Sequence, residues 1–211
     1  MNVSLLAWIF LLTALLGVYV AIAHDLRAAI RGYRVQTTLV ALVYLTDAIR
    51  FADVSMWVAL LGLVVIRILI IPRLISRTFA PAGPSQPARQ VLFNPSYVIA
   101  LCLVLAAFGV GVGAVIGGVN GPLLGLALAT LLIGLSTIFS RHEASQQLMG
   151  VLTADNGLDL LAGLTLVRIP LAGDYAVFID VAVAAGLLAF LRLRLRSYGS
   201  EHLDDFSELR G

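Results

Sequence analysis

Residues 95–140 read PSYVIALCLVLAAFGVGVGAVIGGVNGPLLGLALATLLIGLSTIFS, and none of them is charged. A helix of about 20 apolar residues crosses a bilayer core about 30 Å thick, and this stretch is long enough for two such helices. Residues 107–125, between their centres, are rich in glycine and include Pro122, which predicts a tight turn and close helix packing. A transmembrane β-barrel would alternate apolar and polar residues instead. The stretch therefore predicts a hairpin of two membrane-spanning helices.

The composition of the whole chain is that of a membrane protein. Of its 211 residues, 60% are hydrophobic and 12% are charged, and the mean hydropathy is +0.99. Soluble domains average about 45–50% apolar and about 25% charged residues. So little polar surface cannot cover a water-soluble globule, and we therefore expect an all-α integral membrane protein.

The sequence holds few of the residues that bind cofactors. Its single cysteine, Cys102, lies in an apolar run, and there is no CxxC motif, histidine cluster or glycine-rich phosphate loop. The formal charge of +2 predicts no nucleic-acid partner. We therefore expect no haem, iron–sulfur cluster, metal or nucleotide within this chain.

Apolar runs predict seven transmembrane helices, the second of which is short. The predicted helices cover residues 3–23, 35–49, 54–76, 95–116, 121–140, 146–167 and 173–195. We divide the chain into an N-terminal three-helix segment (1–90), a connecting helix (91–120) and a C-terminal three-helix unit with a cytoplasmic tail (121–211). Residues 80–90, APAGPSQPARQ, contain three prolines and predict a cytoplasmic loop.

The placement of arginine predicts the orientation in the membrane. If the C-terminus is cytoplasmic, eleven of the 14 arginines fall in inner segments, Arg50 and Arg168 fall outside, and Arg67 falls within a helix. Cytoplasmic loops of membrane proteins carry such an excess of basic residues. We therefore expect the N-terminus outside and the C-terminus in the cytoplasm.

Ionisable residues within the membrane are the main functional signal, because each costs a few kcal/mol to insert. Asp155 is roughly 13 Å beyond the inner end of the sixth helix, and Asp159 follows one turn later on the same face, with Asn156 beside them. Two close carboxylates cannot both ionise cheaply in a medium of low dielectric constant, so one of them is a candidate proton carrier. The alternative is a packing patch whose acids are protonated or hydrogen-bonded.

Two further charges complete the candidate proton pathway of Asp155, Asp159, Asp180 and Arg67. Asp180 is roughly 10 Å from the outer end of the last helix, where it is either functional or a shallow acid hydrated from outside. Arg67, in the third helix, either extends towards the inner headgroups or pairs with a carboxylate as a fixed positive charge.

Two irregularities are expected in these helices. Pro72 should kink or end the third helix, because proline lacks the backbone N–H that the Ile68 carbonyl needs. Residues 153–157 are a candidate for a π-bulge, since Gly157 and its polar neighbours weaken regular packing.

Three stretches of the chain resemble the membrane component E (HyfE) family of hydrogenase-4. They are VIRILIIPRLISR (65–77), GVLTADNGLDL (150–160) and the last predicted helix with its tail, IDVAVAAGLLAFLRLRLRSYGSEHLDDFSELRG (179–211). The C-terminal half, with the tail LDDFSELRG, also resembles the K subunit of respiratory complex I and the C subunit of Mrp-type cation/proton antiporters.

The resemblance implies a non-catalytic subunit in the membrane arm of a redox complex in the inner (plasma) membrane. Its implied partners are antiporter-like and complex I H-subunit-like membrane subunits, the lipid bilayer, and peripheral redox subunits reached indirectly. Carboxylates and basic residues in such an arm move protons or sodium. Asp180 matches the second acid of the K-like unit, whereas Asp155 comes three residues after the position of the first, which Leu152 occupies. Arg67 matches a basic position of the HyfE family.

Three other readings of the sequence stay open. The chain is alternatively a structural scaffold whose acids only pack, or a subunit of an Mrp-type antiporter without a redox partner. It is alternatively a stand-alone transporter or intramembrane enzyme.

Overall fold

The structure, a computed structural model, describes residues 3–51, 54–79, 94–141 and 143–165. These residues form helices and turns, and no β-strand occurs among them. The helical elements are α1 (Val3–Ile22), α2 (Leu26–Phe51), α3 (Val54–Gly62), a π-helix π1 (Leu63–Ile70), α4 (Ile71–Thr78), α5 (Pro95–Ile116), α6 (Gly121–Ser140) and α7 (Ala144–Thr165). The all-helical prediction is confirmed for this part of the chain. The seventh predicted helix, residues 173–195, lies outside the described residues.

Four of the described helical segments are long and apolar enough to cross a membrane. They are Leu5–Ile22, Met56–Arg77, Pro95–Ile116 and Gly118–Ser140. Helices α2 and α7 are long as well, but they are more polar because they contribute many of the buried polar side chains. Long apolar helices of this kind are compatible with residence in a membrane, as the composition predicted.

The second helix is much longer than its predicted extent of residues 35–49. It begins at Leu26 and runs for 26 residues. Asp25 caps its start, because its Oδ1 accepts a hydrogen bond of 2.8 Å from the backbone N–H of Ala28. The predicted start was wrong because three arginines near the beginning of α2 hide its apolar face in the sequence. That face packs tightly on α1, where a Cβ at Gly32 would lie 2.7 Å from the Tyr19 ring.

The third helical rod is continuous from Val54 to Thr78 and has a π-helical centre. The backbone N–H of Ile71 donates to the carbonyl of Ile66, five residues earlier, as in a π-turn. In an α-helix the ring of Pro72 would press on the carbonyl four residues before it, and a wider turn relieves that contact. The rod therefore does not end at Pro72, and the extra width lies just before the proline.

Helix α7 is a regular α-helix through residues 153–157, so the expected π-bulge there is wrong. Glycine serves a different purpose at this point, because a Cβ on Gly157 would overlap the backbone of Leu131 in α6. Gly157 thus permits close approach of two helices without any break in the helical hydrogen bonds.

Close backbone contacts join α5, α6 and α7 into one unit. A Cβ on Gly109 of α5 would lie 2.8 Å from the backbone nitrogen of Ala129 in α6, and one on Gly134 would overlap the backbone of Ala154 in α7. Small residues at helix contacts are typical of membrane proteins, because they let backbones approach closely. The turn between α5 and α6 contains Gly118, whose φ of 51° lies in the left-handed region that glycine tolerates.

The bundle interior has a polar layer between two apolar clusters. The turn-side cluster, next to the α1–α2 turn, contains Val20, Ala23, Ala29, Ile30, Tyr33, Ile71, Ile75, Phe79, Leu148, Met149 and Leu152. The distal cluster contains Ile9, Phe10, Val40, Ala41, Val43, Leu63, Leu123, Ala127 and Leu160. Between them along the chain lie the residues of the polar layer, which are Thr13, Gln36, Thr37, Arg67, Asp155, Asn156 and Asp159. This layer holds the candidate site.

Candidate functional site

Arg67 is placed in the bundle interior by the helix that carries it. Every fourth residue of the α3–π1–α4 rod is buried: Ala59, Leu63, Arg67, Ile71 and Ile75. Arg67 itself is 0% exposed, and the apolar residues on either side of it belong to the distal and turn-side clusters. Its guanidinium therefore does not extend to the headgroups, which was one of the two expectations for this residue.

The guanidinium of Arg67 contacts both carboxylates of α7. Its Nη2 lies 2.5 Å from Oδ2 of Asp155, and its Nη1 donates a hydrogen bond to Oδ2 of Asp159. The two acids are one helical turn apart and face the same neighbour, as their spacing predicted. Asp159 is 6% exposed, whereas Asp155 is only partly buried. We refer to Arg67, Asp155 and Asp159 as the ion cluster.

The charges of the ion cluster do not balance when all three groups are ionised. Two carboxylates then face one guanidinium in a part of the molecule from which water is largely excluded. Charge is costly to bury in such surroundings unless it is paired and hydrogen-bonded. Neighbouring carboxylates in such surroundings can take up and release a proton, which is the chemistry that this arrangement can perform.

A hydrogen-bonded amide network lies next to the ion cluster and ties α7 to α1 and α2. Asn156 donates from Nδ2 to Oε1 of Gln36 and to Oγ1 of Thr37, both at 3.1 Å. Gln36 donates from Nε2 to the backbone carbonyl of Thr13 at 3.0 Å, and all four residues are fully buried. The network fixes the rotation of α7 about its axis. Because Asn156 is next to Asp155 in this helix, the position of the Asp155 carboxylate is fixed as well. Sequence reasoning noted Asn156 but missed Gln36, Thr37 and Thr13.

Two buried hydroxyls lie in the same region. Those of Tyr33 and Thr153 are inaccessible and make no hydrogen bond of normal geometry to any residue in the described ranges. Thr153 of α7 also lies close to α1 and α2. A Cβ on Gly17 of α1 would lie 3.3 Å from the methyl group of Thr153 and 3.4 Å from Nε2 of Gln36 in α2. Buried polar side chains without partners are uncommon in native proteins.

Arg141, between α6 and α7, is hydrogen-bonded to the C-terminal end of α1. Its Nε donates to the carbonyl of Ala21 at 3.1 Å, and its Nη2 donates to the carbonyls of Ala21 and Ala23, the latter at 2.9 Å. Burial lowers the pKa of the Arg141 guanidinium from its usual range, and the Glu143 carboxylate opposes this shift. Arg141 is buried although it lies in a short connection, and it caps carbonyls that a helix end leaves without partners.

The structure brings together three of the four residues predicted for the proton pathway. Arg67, Asp155 and Asp159 form the ion cluster, and Asp180 lies outside the described residues. In the described ranges, no three histidine, cysteine, aspartate or glutamate side chains are grouped closely enough to hold a metal ion.

Comparison with known proteins finds a relative that matches nearly the whole chain. The chain is 30% identical over 201 residues to the uncharacterised protein Rv0085 of Mycobacterium tuberculosis, a match that covers 93% of this chain and 91% of the relative. No protein-family model matches the sequence, and no solved structure does. The similarity extends over nearly the full length of both proteins. The chain therefore belongs to the same protein family as Rv0085.

Proposed function

We propose that this chain is a non-catalytic membrane-arm subunit that contributes buried carboxylates to a proton or cation pathway. Redox chemistry in other subunits of a hydrogenase-4-like or complex-I-like assembly drives that pathway. The observation that carries the proposal is the ion cluster, in which one inaccessible arginine joins two acids between two apolar layers. Ionisable groups inside a membrane protein are expensive and mark ion pathways and proton relays.

The unequal burial of the two acids supports a pathway that has a direction. Asp159 is nearly inaccessible, whereas Asp155 is partly exposed, and Arg67 touches both. A proton that moves between the two carboxylates thus passes from the interior of the bundle towards its surface. Arg67 remains charged throughout and stabilises whichever carboxylate is ionised.

The proposal includes seven membrane spans in the inner membrane, with the N-terminus outside and the C-terminus in the cytoplasm. Exposed arginines support this orientation, because Arg27 and Arg31 begin α2, and Arg73 and Arg77 lie near the end of α4. Residues of these two stretches meet in the turn-side cluster, so all four arginines are near the same end of the bundle. The proposed partners are antiporter-like and H-subunit-like membrane subunits, with peripheral redox subunits reached through them.

A structural scaffold is the second candidate function, and the amide network favours it. Asn156, Gln36 and Thr37 have well-defined partners that join three helices, and both acids are engaged by Arg67. A polar layer of this kind can specify one arrangement of helices without conducting any ion. In that case the acids are needed for assembly and for nothing else.

Purification of the native complex, with its subunits identified by mass spectrometry, tests the assignment to a membrane arm. The proposal predicts that antiporter-like subunits and a hydrogenase or dehydrogenase purify with the chain. Antiporter-like subunits without any redox subunit would favour the Mrp-type alternative. A fully active transporter that contains this chain alone would contradict both.

Asp155→Asn tests the pathway itself in that complex after reconstitution into sealed vesicles. We expect assembly and electron transfer to continue while ion uptake falls by at least about tenfold, because asparagine cannot accept the proton. Asp47→Asn in α2 is the matched control, since Asp47 lies in neither the polar layer nor the ion cluster. Normal ion uptake in the Asp155→Asn complex would leave the scaffold function.

A further inference from the structure

Tyr33 belongs to the turn-side cluster, and nothing in the packing of that cluster requires a polar side chain at this position. It is one of the largest fully buried side chains and belongs to the turn-side cluster. Among the members of that cluster, Tyr33 is the one with an oxygen atom in its side chain. Phenylalanine would fill the same space, so the hydroxyl needs an explanation other than packing.

The hydroxyl of Tyr33 lies in the electrostatic field of the whole ion cluster. The charges of Arg67, Asp155 and Asp159 all interact electrostatically with this hydroxyl. The Thr37 hydroxyl is beside it, one helical turn along α2. It makes no hydrogen bond of normal geometry within the described ranges. The described parts of α1 and α6 contribute no charged side chain, and Arg73 and Arg77 of α4 are exposed.

The place of Tyr33 along the chain puts it on one side of the ion cluster. Its neighbours in the turn-side cluster include Leu148, Met149 and Leu152, which precede Asp155 in α7. From Leu148 to Asp155 is seven residues, or about 10 Å of helix. A proton that travels between the ion cluster and the α1–α2 turn has to cross this apolar layer.

We propose that Tyr33 relays protons between the ion cluster and the end of the molecule formed by the α1–α2 turn. This inference rests on the proposed function, since it concerns the same pathway. It adds a residue that the charge pattern of the sequence did not indicate, and it assigns a route to one side of the ion cluster.

The relay step leaves the phenol unchanged. As the O–H of Tyr33 donates its proton to a carboxylate of the ion cluster, the phenol oxygen accepts a proton from a hydronium ion on the turn side, which becomes water. One O–H bond breaks and another forms on the phenol, the carboxylate becomes a carboxylic acid, and no electrons are transferred. The reverse sequence carries a proton towards the turn.

Hydrogen–deuterium exchange of the protonated carboxyl, followed by infrared spectroscopy on the purified native complex, tests the relay. The carboxylic-acid C=O band is assigned by its loss in Asp155→Asn and Asp159→Asn. We expect Tyr33→Phe to slow its exchange after a change to heavy water by at least about tenfold, with the band intensity and the thermal midpoint unchanged. Tyr19→Phe, at an exposed tyrosine of α1, is the control and should exchange at the wild-type rate.

Unchanged exchange in Tyr33→Phe would overturn the relay, as would equal slowing in Tyr19→Phe. Failure of the relay is distinguishable from failure of the proposed function, because the latter appears as normal ion uptake in Asp155→Asn, whatever Tyr33→Phe does.

Discussion

At the scale of single residues, the polar layer depends on Arg67. Its guanidinium contacts both Asp155 and Asp159, and it is inaccessible to solvent. Removing one partner of a buried ion pair is strongly destabilising, because the other charge is left uncompensated, whereas removing all partners together is often neutral. The stability of the chain should therefore respond very differently to partial and complete removal of the ion cluster.

Arg67→Met keeps most of the side-chain length and removes the charge. We expect it to lower the free energy of unfolding by about 3–5 kcal/mol, because both carboxylates then lose the guanidinium that contacts them. The triple variant Arg67→Met/Asp155→Asn/Asp159→Asn should recover most of that loss. Denaturant titration in detergent micelles measures both, and a single variant as stable as the wild type would refute this account of the pairing.

The sequence predicted the charged members of the site and missed the neutral ones. Asp155, Asp159 and Arg67 are conspicuous because charge within an apolar helix is costly. Gln36 and Thr37 carry no charge, and they fell at the edge of a helix that was predicted to begin at residue 35. Their role depends on Asn156 of α7, about 120 residues away along the chain, and no local pattern reports such a pairing.

At the scale of secondary structure, the π-helical segment explains how Arg67 can face the bundle interior. In an α-helix of 3.6 residues per turn, residues four apart drift around the axis by about 40° per step. Positions 59, 63, 67, 71 and 75 are nevertheless all buried, because the wider turns of π1 offset that drift. In the sequence, the signal for this irregularity is the four-residue spacing of the inward-facing positions around Pro72. The polar residues of α7 had predicted a π-bulge at residues 153–157 instead, and that prediction was wrong.

Pro72→Ala tests whether the proline maintains this register. Alanine restores the missing N–H and removes the ring, so we expect the centre of the rod to relax towards an α-helix and to rotate its upstream half. Leu63, which is 1% exposed, should then turn towards the surface. Labelling of Leu63→Cys by a membrane-permeable maleimide, in a Cys102→Ser background, should be faster with Pro72→Ala than with Pro72. Equal labelling rates would show that the π-helix has another cause.

The close contacts that glycine permits between α6 and α7 can also be tested by substitution. A Cβ on Gly134 would overlap the backbone of Ala154, which cannot move aside as a flexible side chain could. We expect Gly134→Ala to destabilise the chain by about 1–3 kcal/mol, the usual cost of overpacking. Gly163→Ala in α7 is the matched control, because its Cβ would meet nothing within 4 Å. If both variants have the same thermal midpoint in detergent, the helices are less closely packed than described.

At the scale of the whole molecule, long apolar helices accompany two more polar ones, and the charged site lies between two apolar clusters. The sequence predicted the apolar helices well, because length and hydropathy are local properties. It predicted α2 poorly, because that helix is stabilised by burial against α1, α7 and the α3–π1–α4 rod rather than by its own composition. The layered interior depends on contacts between distant segments, which periodicity alone does not reveal.

On the proposed pathway, a proton that crosses the polar layer uses the carboxylates of the ion cluster. The most direct test is the number of protons translocated per electron by the proposed complex in sealed vesicles, with the chain as Arg67→Met/Asp155→Asn/Asp159→Asn, which leaves no buried charge of the ion cluster unpaired. The account predicts that electron transfer continues while proton translocation falls to the background level, with Asp47→Asn retaining the wild-type ratio. A triple variant that translocates protons at the wild-type ratio would contradict it.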